Sequence, residues 1–479
     1  MLITPTEGLS LLFLFGILMI SLVYFLTKKK IQTNETFLVA NRNISWVRGA
    51  FSIAVSWVWA PAIFICSLQA YTQGIAGAFW FIAPNILCFF LFAPLAIRLR
   101  KLMPDGYTLP EYILQRYPGD KKIHLSYLVI FFGYQLSAII INSLAGGTLL
   151  HILTGMKFSL ATVGIASVAL IYSLLSGLEA SVLTDVLQML MILILGFVLV
   201  PWVILHAGGW SSVVGGLGGV SGEFGNIFNP KIAYAFGIAT TIGLITGPIG
   251  DQMFFQRGFA VKQKNIVKSF VAGGLIFAFV PITLSLLGFV AANPAFNIVV
   301  PDPQMVGPLT IGYFLPKGAL MLFVIMAFAG LSSTLDSAYC AISALGTIDI
   351  YKRYFQKEAT DKKLLRVSRN FMLSMAIVGT GIALLQPKLL WIFLASGTLA
   401  SAGFFPTIFS LYSKTIKKEA VFIALFLSII VGFPLSVYAN IVDNTNLIVW
   451  SSVLSILIGF FVCSLSLLKT KVMYSHENT

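Results

Sequence analysis

Charge is what this chain has least of. Only 10% of its 479 residues are Asp, Glu, Lys or Arg, against about 25% in an ordinary soluble domain. Hydrophobic residues make up 58% and the mean hydropathy is +0.92, which excludes a water-soluble fold. Cysteine and histidine are scarce too, at four each. Cys66, Cys88, Cys340 and Cys463 lie within or beside apolar runs and have no CxxC or metal-ligand spacing, so they read as free packing thiols. His124, His151, His206 and His476 fall near expected helix ends or in the tail, which suggests no histidine proton relay. No long polar stretch is left over for a soluble catalytic or signalling domain.

What is there is a succession of apolar runs, each long enough for a hydrocarbon core about 30 Å thick. The expected class is an all-α polytopic membrane protein, one integral domain over residues 1–479. Spanning helices are expected at 8–27, 46–70, 76–98, 124–152, 158–175, 181–206, 232–252, 268–291, 316–346, 367–386, 389–412, 419–439 and 446–468, about thirteen in all. An odd count puts the termini on opposite sides, and the Lys/Arg distribution orients them. With Lys28 to Lys30 in the cytoplasm, every other base falls on or near that side except Lys157, Lys231, Lys317 and Lys388. The N-terminus is therefore expected outside and the C-terminus in the cytoplasm of a plasma (inner) membrane. The net charge of +14 then answers to topology and anionic headgroups, with no nucleic-acid partner. Residues 8–27 read as a retained helix, since their basic residues follow the apolar run and a cleaved leader carries them before it. Residues 207–230 form a Gly-rich outer loop without the strand, helix and Lys-Ser/Thr of a phosphate loop, and residues 347–369 a basic inner loop. The sequon Asn34-Glu35-Thr36 falls on the cytoplasmic side and reads as chance.

Two carboxylates, Asp185 and Asp336, sit in apolar stretches among hydroxyl and small residues. An ionisable group at membrane depth is a functional candidate by default. Two helices look discontinuous. Pro61 follows Ser56-Trp57-Val58-Trp59-Ala60, and Pro248 lies in Thr246-Gly247-Pro248-Ile249-Gly250-Asp251. A proline removes one backbone hydrogen bond and frees carbonyls a turn earlier, and secondary carriers hold ions and solutes on such unwound backbone. A simple kink accounts for either proline alone. The two breaks lie five helices apart, as a five-helix repeat would place them. In the ninth helix Gly330, Ser333, Thr334 and Ser337 share one face, which suits helix packing and equally the oxygen ligands of a hard cation.

Five segments in order resemble the sodium:solute symporter family. They are Phe37 to Arg42, Gly106 to Tyr112, Gly177 to Gln188, Asp251 to Arg257, and Ala329 through Asp349-Ile350-Tyr351-Lys352. The resemblance implies a five-plus-five inverted repeat of LeuT type. Repeat one covers about 46–206 and repeat two about 232–412, with a leading helix and two extra helices over 419–468. It implies a sodium site on the carbonyls of Val55, Val58 and Gly330 and the hydroxyls of Ser333 and Thr334; a register one residue earlier would use Ser332 and Ser333. Asp185 matches an acid that in some members helps a second sodium or lines the ion path. Where those members carry two hydroxyls, this chain has Asp336 and Ser337.

The resemblance thus implies a sodium-coupled importer of a small polar solute, whose partners are solute, sodium and bilayer, with no obligatory protein partner and no enzymatic chemistry. The second-helix stretch is closest to the urea branch, with proline-like amino acids and small carboxylates as the other solutes; the amide and acid positions of sugar carriers are absent. Ser56, Trp57, Trp59, Gln135, Asn142 and Gln252 are the candidates to line the solute site, although the two indoles also suit packing or lipid. The rival readings are a proton-coupled carrier of the same fold and a sodium-independent channel. An intramembrane aspartyl protease is excluded, because its acids follow Tyr and Gly-x-Gly, and these follow Thr184 and Leu335.

Overall fold

A computed structural model describes residues 2–28 and 32–477, without the side chains of residue 176 and of those beyond 468. Every regular element among them is helical. Lys29 and Lys30, part of the orientation reading, lie outside the described residues, as does the side chain of His476. We number the long helices α1 (Pro5–Thr27), α2 (Trp46–Ser56), α3 (Pro61–Leu102), α4 (Lys121–Thr154), α5 (Phe158–His206), α6 (Pro230–Gly250), α7 (Gln252–Ala260), α8 (Ile266–Ala292), α9 (Lys317–Phe355), α10 (Asp361–Ala383), α11 (Leu389–Tyr412), α12 (Lys418–Ile441) and α13 (Thr445–Glu477).

Eleven of the described helical segments are long and apolar enough to cross a membrane. The difference from thirteen has two local causes. The expected helix 46–70 is divided at Trp57–Ala60, so α2 has only 11 residues, about 17 Å of helix, and its remainder runs on into α3. The expected helix 367–386 falls in α10, whose first turns carry Asp361, Lys362, Lys363, Arg366 and Arg369. The second discontinuity also differs from expectation. The helix runs through Pro248 and breaks only at Asp251 (φ −101°, ψ 106°), then continues for nine residues as α7. The break therefore lies three residues past the proline, with helix on both sides of it.

The two broken helices run in opposite directions. Ile44, just before α2, donates its N–H to Ala260 at the end of α7 (3.1 Å), and Lys262 donates back to Ile44 (3.1 Å). The beginning of one broken helix thus lies beside the end of the other, as an inverted repeat requires. Around this pair α8 packs along α3, α9 along α5, and α6 along α11.

Two further bends depend on glycine. At Gly74 (φ +55°) α3 turns, and the freed N–H groups are taken by the Gly-rich segment 207–230: Ile75 donates to Leu217 (2.8 Å) and Ala76 to Phe224 (3.3 Å), while Val220 donates to Tyr71 (2.8 Å). Buried backbone groups need such partners. At Gly177 (φ +60°) α5 is broken, and a Cβ there would stand 2.5 Å from the Phe37 ring and 2.6 Å from its carbonyl. Gly177→Ala should therefore combine backbone strain with a backbone clash and destabilise by about 2–4 kcal/mol. Thermal unfolding of purified protein, with Gly196→Ala at a helical position that has open space as reference, reads this out. Equal melting of the two variants would contradict it.

Candidate functional site

The first break is organised by donors and acceptors from three helices. Trp57 and Val58 donate to Ala54 (3.2 Å) and Val55 (3.0 Å) in tight turns. The Ala60 N–H is taken by Asn142 Oδ1 of α4 at 2.9 Å, and the helix restarts at Pro61, which has no N–H to satisfy. Thr334 Oγ1 of α9 donates to the freed Val58 carbonyl at 3.1 Å. A Cβ on Gly330 would approach Val58 Cγ1 to 3.3 Å and Ile63 Cδ1 to 2.7 Å, so glycine is what lets α9 lie this close. Ser333 is one residue round the same face. Ser332 points elsewhere, accepting from Gln188 of α5 (3.0 Å). Oxygen atoms 3.1 Å apart can be neighbouring ligands of a hard cation that holds oxygens at about 2.4 Å. The Thr334 hydrogen would then have to turn away from Val58.

One turn further in is a charged cluster. Asp185 is fully buried and both its oxygens are occupied: Oδ1 accepts from Ser333 Oγ (2.6 Å), and Oδ2 accepts from Ser52 Oγ (2.6 Å) and Arg257 Nη2 (2.9 Å). Arg257 of α7, 1% exposed, also donates Nη2 to Ser337 Oγ (2.6 Å), Nε to Ser52 Oγ (2.8 Å) and Nη1 to the Met253 carbonyl (3.2 Å). The expected helix 232–252 leaves Arg257 in the loop beyond it; it is instead a core residue, because α7 carries the helix on past the break. Asp336 faces α5, accepting from Ser173 Oγ at 2.6 Å. Its Oδ2 has no hydrogen-bond partner among the described residues.

The aromatic candidates border a small cavity of about 20 Å³, lined by Trp57, Trp59, Phe81, Asn85, Tyr134 and Phe393 among others. The Trp57 indole N–H donates to Asn85 Oδ1 (2.9 Å) and that of Trp59 to the Ser56 carbonyl (3.0 Å). Trp59 and Tyr134 ring centroids are 5.3 Å apart. Gln135 donates to Asp251 Oδ1 (2.8 Å), which also caps α7 through Met253 N–H (2.8 Å). Asp251 Oδ2 and Gln135 Oε1 are left as unpartnered acceptors. The other candidates are engaged elsewhere: Asn142 on the Ala60 backbone, Ser56 Oγ on Ile53 (3.0 Å), and Gln252 Nε2 on the Tyr107 carbonyl (2.9 Å). Asn85, Tyr134 and Asp251 were missed. Asp251, a carboxylate in an apolar run beside a proline, carried a readable signal; Asn85 and Tyr134 carried none.

The family model of the sodium:solute symporter family matches residues 37–432. The chain belongs to this family. The members of this family are transporters. The urea-proton symporter DUR3 of Oryza sativa subsp. japonica is 24% identical over 453 residues, 86% of this chain and 63% of that protein. The urea active transporter of Saccharomyces cerevisiae is 26% identical over 470 residues, 90% and 62%. The chain thus spans less than two thirds of the length of these two relatives. A Na+-coupled sialic acid symporter, solved substrate-bound and outward-open, shares the fold over 96% of both chains with a TM-score of 0.79 at 16% identity. MhsT in complex with L-phenylalanine matches 87% of this chain and 98% of its own, with a TM-score of 0.55 at 14% identity. The five-plus-five architecture follows from these matches.

On the face of the molecule where α2 begins and α7 ends, a second polar cluster joins two helix ends. Asp349 near the end of α9 accepts from Thr108 Oγ1 (2.7 Å) and pairs with His124 Nε2 of α4 (3.2 Å), whose Nδ1 meets Tyr354 Oη (2.8 Å). Thr108 caps the short helix Leu109–Arg116. Glu111 of that helix borders a cavity of about 430 Å³ and accepts from Tyr107 N–H at 2.8 Å. Burial, reinforced by the neighbouring Asp349 charge, pushes the Glu111 carboxyl up from 4.5 to about 7. A raised carboxyl means that the folded state binds the extra proton, so stability is greatest below pH 4.5 and falls as pH rises to 7. The upper bound of the effect is about 3 kcal/mol. Glu111→Gln should flatten the difference in melting temperature across that window. A wild-type protein that loses no stability relative to the variant between pH 5 and 7 would contradict this.

Proposed function

We propose that the chain is a sodium-coupled symporter that imports a small polar, urea-like solute by alternating access. The observation that carries this reading is the opposition of the Val58 carbonyl and the Thr334 hydroxyl, 3.1 Å apart across the first helix break. Gly330, Ser333 and the Val55 carbonyl stand beside them. Such a site offers neutral oxygens and no formal charge, which suits a monovalent hard cation. Asp336 is the remaining acid on the ion path, since Asp185 and Ser337 are already engaged by Arg257.

The solute would sit next to the break, between Trp57, Trp59 and Tyr134. The space there, about 20 Å³, is room for about one water molecule, so the rings must part for any solute to enter. Two relatives are named for urea, which favours a small solute rich in N–H donors. Asn142 and Gln252, held on backbone carbonyl and amide groups, would position the break and the neighbouring loop. In the proposed orientation the N-terminus is outside, the C-terminus cytoplasmic and the Asp349 cluster cytoplasmic. The leading helix, repeats 46–206 and 232–412, and helices 419–468 form one integral unit.

One charge crossing 100 mV yields about 2.3 kcal/mol, and a tenfold sodium gradient about 1.4 kcal/mol. A neutral solute should therefore accumulate several-hundred-fold at most. In proteoliposomes with urea and small amides as probes, uptake should require inward sodium and be electrogenic. Thr334→Ala should raise the half-saturating sodium concentration about tenfold, from 1–3 kcal/mol for one lost ligand. Equal uptake with sodium and with N-methylglucamine would overturn the reading.

A further inference from the structure

Everything about the Asp185 cluster has the form of a cation site. One carboxylate oxygen, two serine hydroxyls and one carbonyl converge on a single positive group, and all the side chains are buried. The positive group is the guanidinium of Arg257. Hard monovalent cations want this kind of oxygen cage, and a buried carboxylate needs a cation in it. A fixed guanidinium already donates to all four oxygens and offsets the Asp185 charge, so none of the four is left for a mobile ion. The residues come from four elements: Ser52 from α2, Asp185 from α5, Arg257 from α7 and Ser337 from α9. Asp185 Oδ1 in turn holds the Ser333 hydroxyl at 2.6 Å, so the state of the cage is felt directly at the neutral oxygen site beside Val58.

We infer that Arg257 is a tethered cation that permanently fills the ion position beside Asp185, so that this symporter carries its coupling sodium at the neutral site alone. The inference deepens the proposed sodium-coupled function and rests on it. Arg257 acts as a positioning residue: it holds Asp185, and through Asp185 it orients Ser333, without touching the solute. Removing the side chain while keeping Asp185 should turn the cage into a mobile-ion site. Arg257→Lys keeps a cation there and should not.

The test is equilibrium binding of radioactive sodium to the purified full chain, together with the sodium dependence of its melting temperature. Wild type and Arg257→Lys should bind one sodium per chain with a Hill slope of about 1. Arg257→Ala, purified in high sodium, should bind two with a steeper slope, and its melting temperature should rise further with sodium than that of wild type. Asp185→Asn combined with Arg257→Ala should return to one. Two sodium ions in wild type would overturn the inference, as would a folded Arg257→Ala that binds only one. So would an Arg257→Ala that fails to fold in high sodium where the double variant folds, because sodium would then not be replacing the guanidinium. Absence of any sodium binding to wild type would instead strike at the proposed function, which keeps the two failures apart.

Discussion

A charge pair in an apolar bundle is the constraint around which the rest is arranged. Asp185 and Arg257 meet at 2.9 Å with side chains 0% and 1% exposed, and either one alone would cost several kcal/mol to bury. Because the pair and its serines come from α2, α5, α7 and α9, those four helices cannot separate without exposing or breaking it. Three of them are the parts that a carrier of this fold has to keep in register: the two broken helices and the hydroxyl face of α9. The pair therefore serves less as a source of stability than as a fastening that sets where the breaks can lie.

Unwound backbone imposes the second constraint, since each freed group at membrane depth needs a partner. At the first break the partners are specific: Asn142 takes the Ala60 N–H and Thr334 faces the Val58 carbonyl. At the second, Asp251 caps α7 and is itself held by Gln135. At Gly74 the Gly-rich segment 207–230 supplies its own carbonyls. Polar side chains that look from sequence like solute ligands are thus partly consumed in holding the backbone open. Asn142 is such a case, and Asp251, Gln135 and Gln252 keep one acceptor each without a partner among the described residues.

The class, the inverted architecture and the oxygen-bearing face of α9 were legible because they are written in local composition: apolar run lengths, prolines within them, and Gly330, Ser333, Thr334 and Ser337 at helical spacing. Asp185 was legible as a lone acid. Its partner was not, because Arg257 is 72 residues away in a segment whose basic residue looked superficial until the break at Asp251 carried it inward. Likewise nothing local marks Asn85 as the acceptor for the Trp57 indole, 28 residues earlier. The division at Trp57–Ala60 and the charged start of α10 explain why eleven helices, and not thirteen, have the length and apolarity of spans. Periodicity reports where a helix is apolar; it does not report where a helix stops hydrogen-bonding to itself.

The most direct measurement is a high-resolution structure of the full chain in saturating sodium, compared with one in potassium. The account predicts a single cation peak at the first break, about 2.4 Å from the Val58 carbonyl and the Thr334 hydroxyl, with guanidinium density still against Asp185 and Ser337. A cation between Asp185 and Ser337, with the Arg257 side chain displaced, would contradict it.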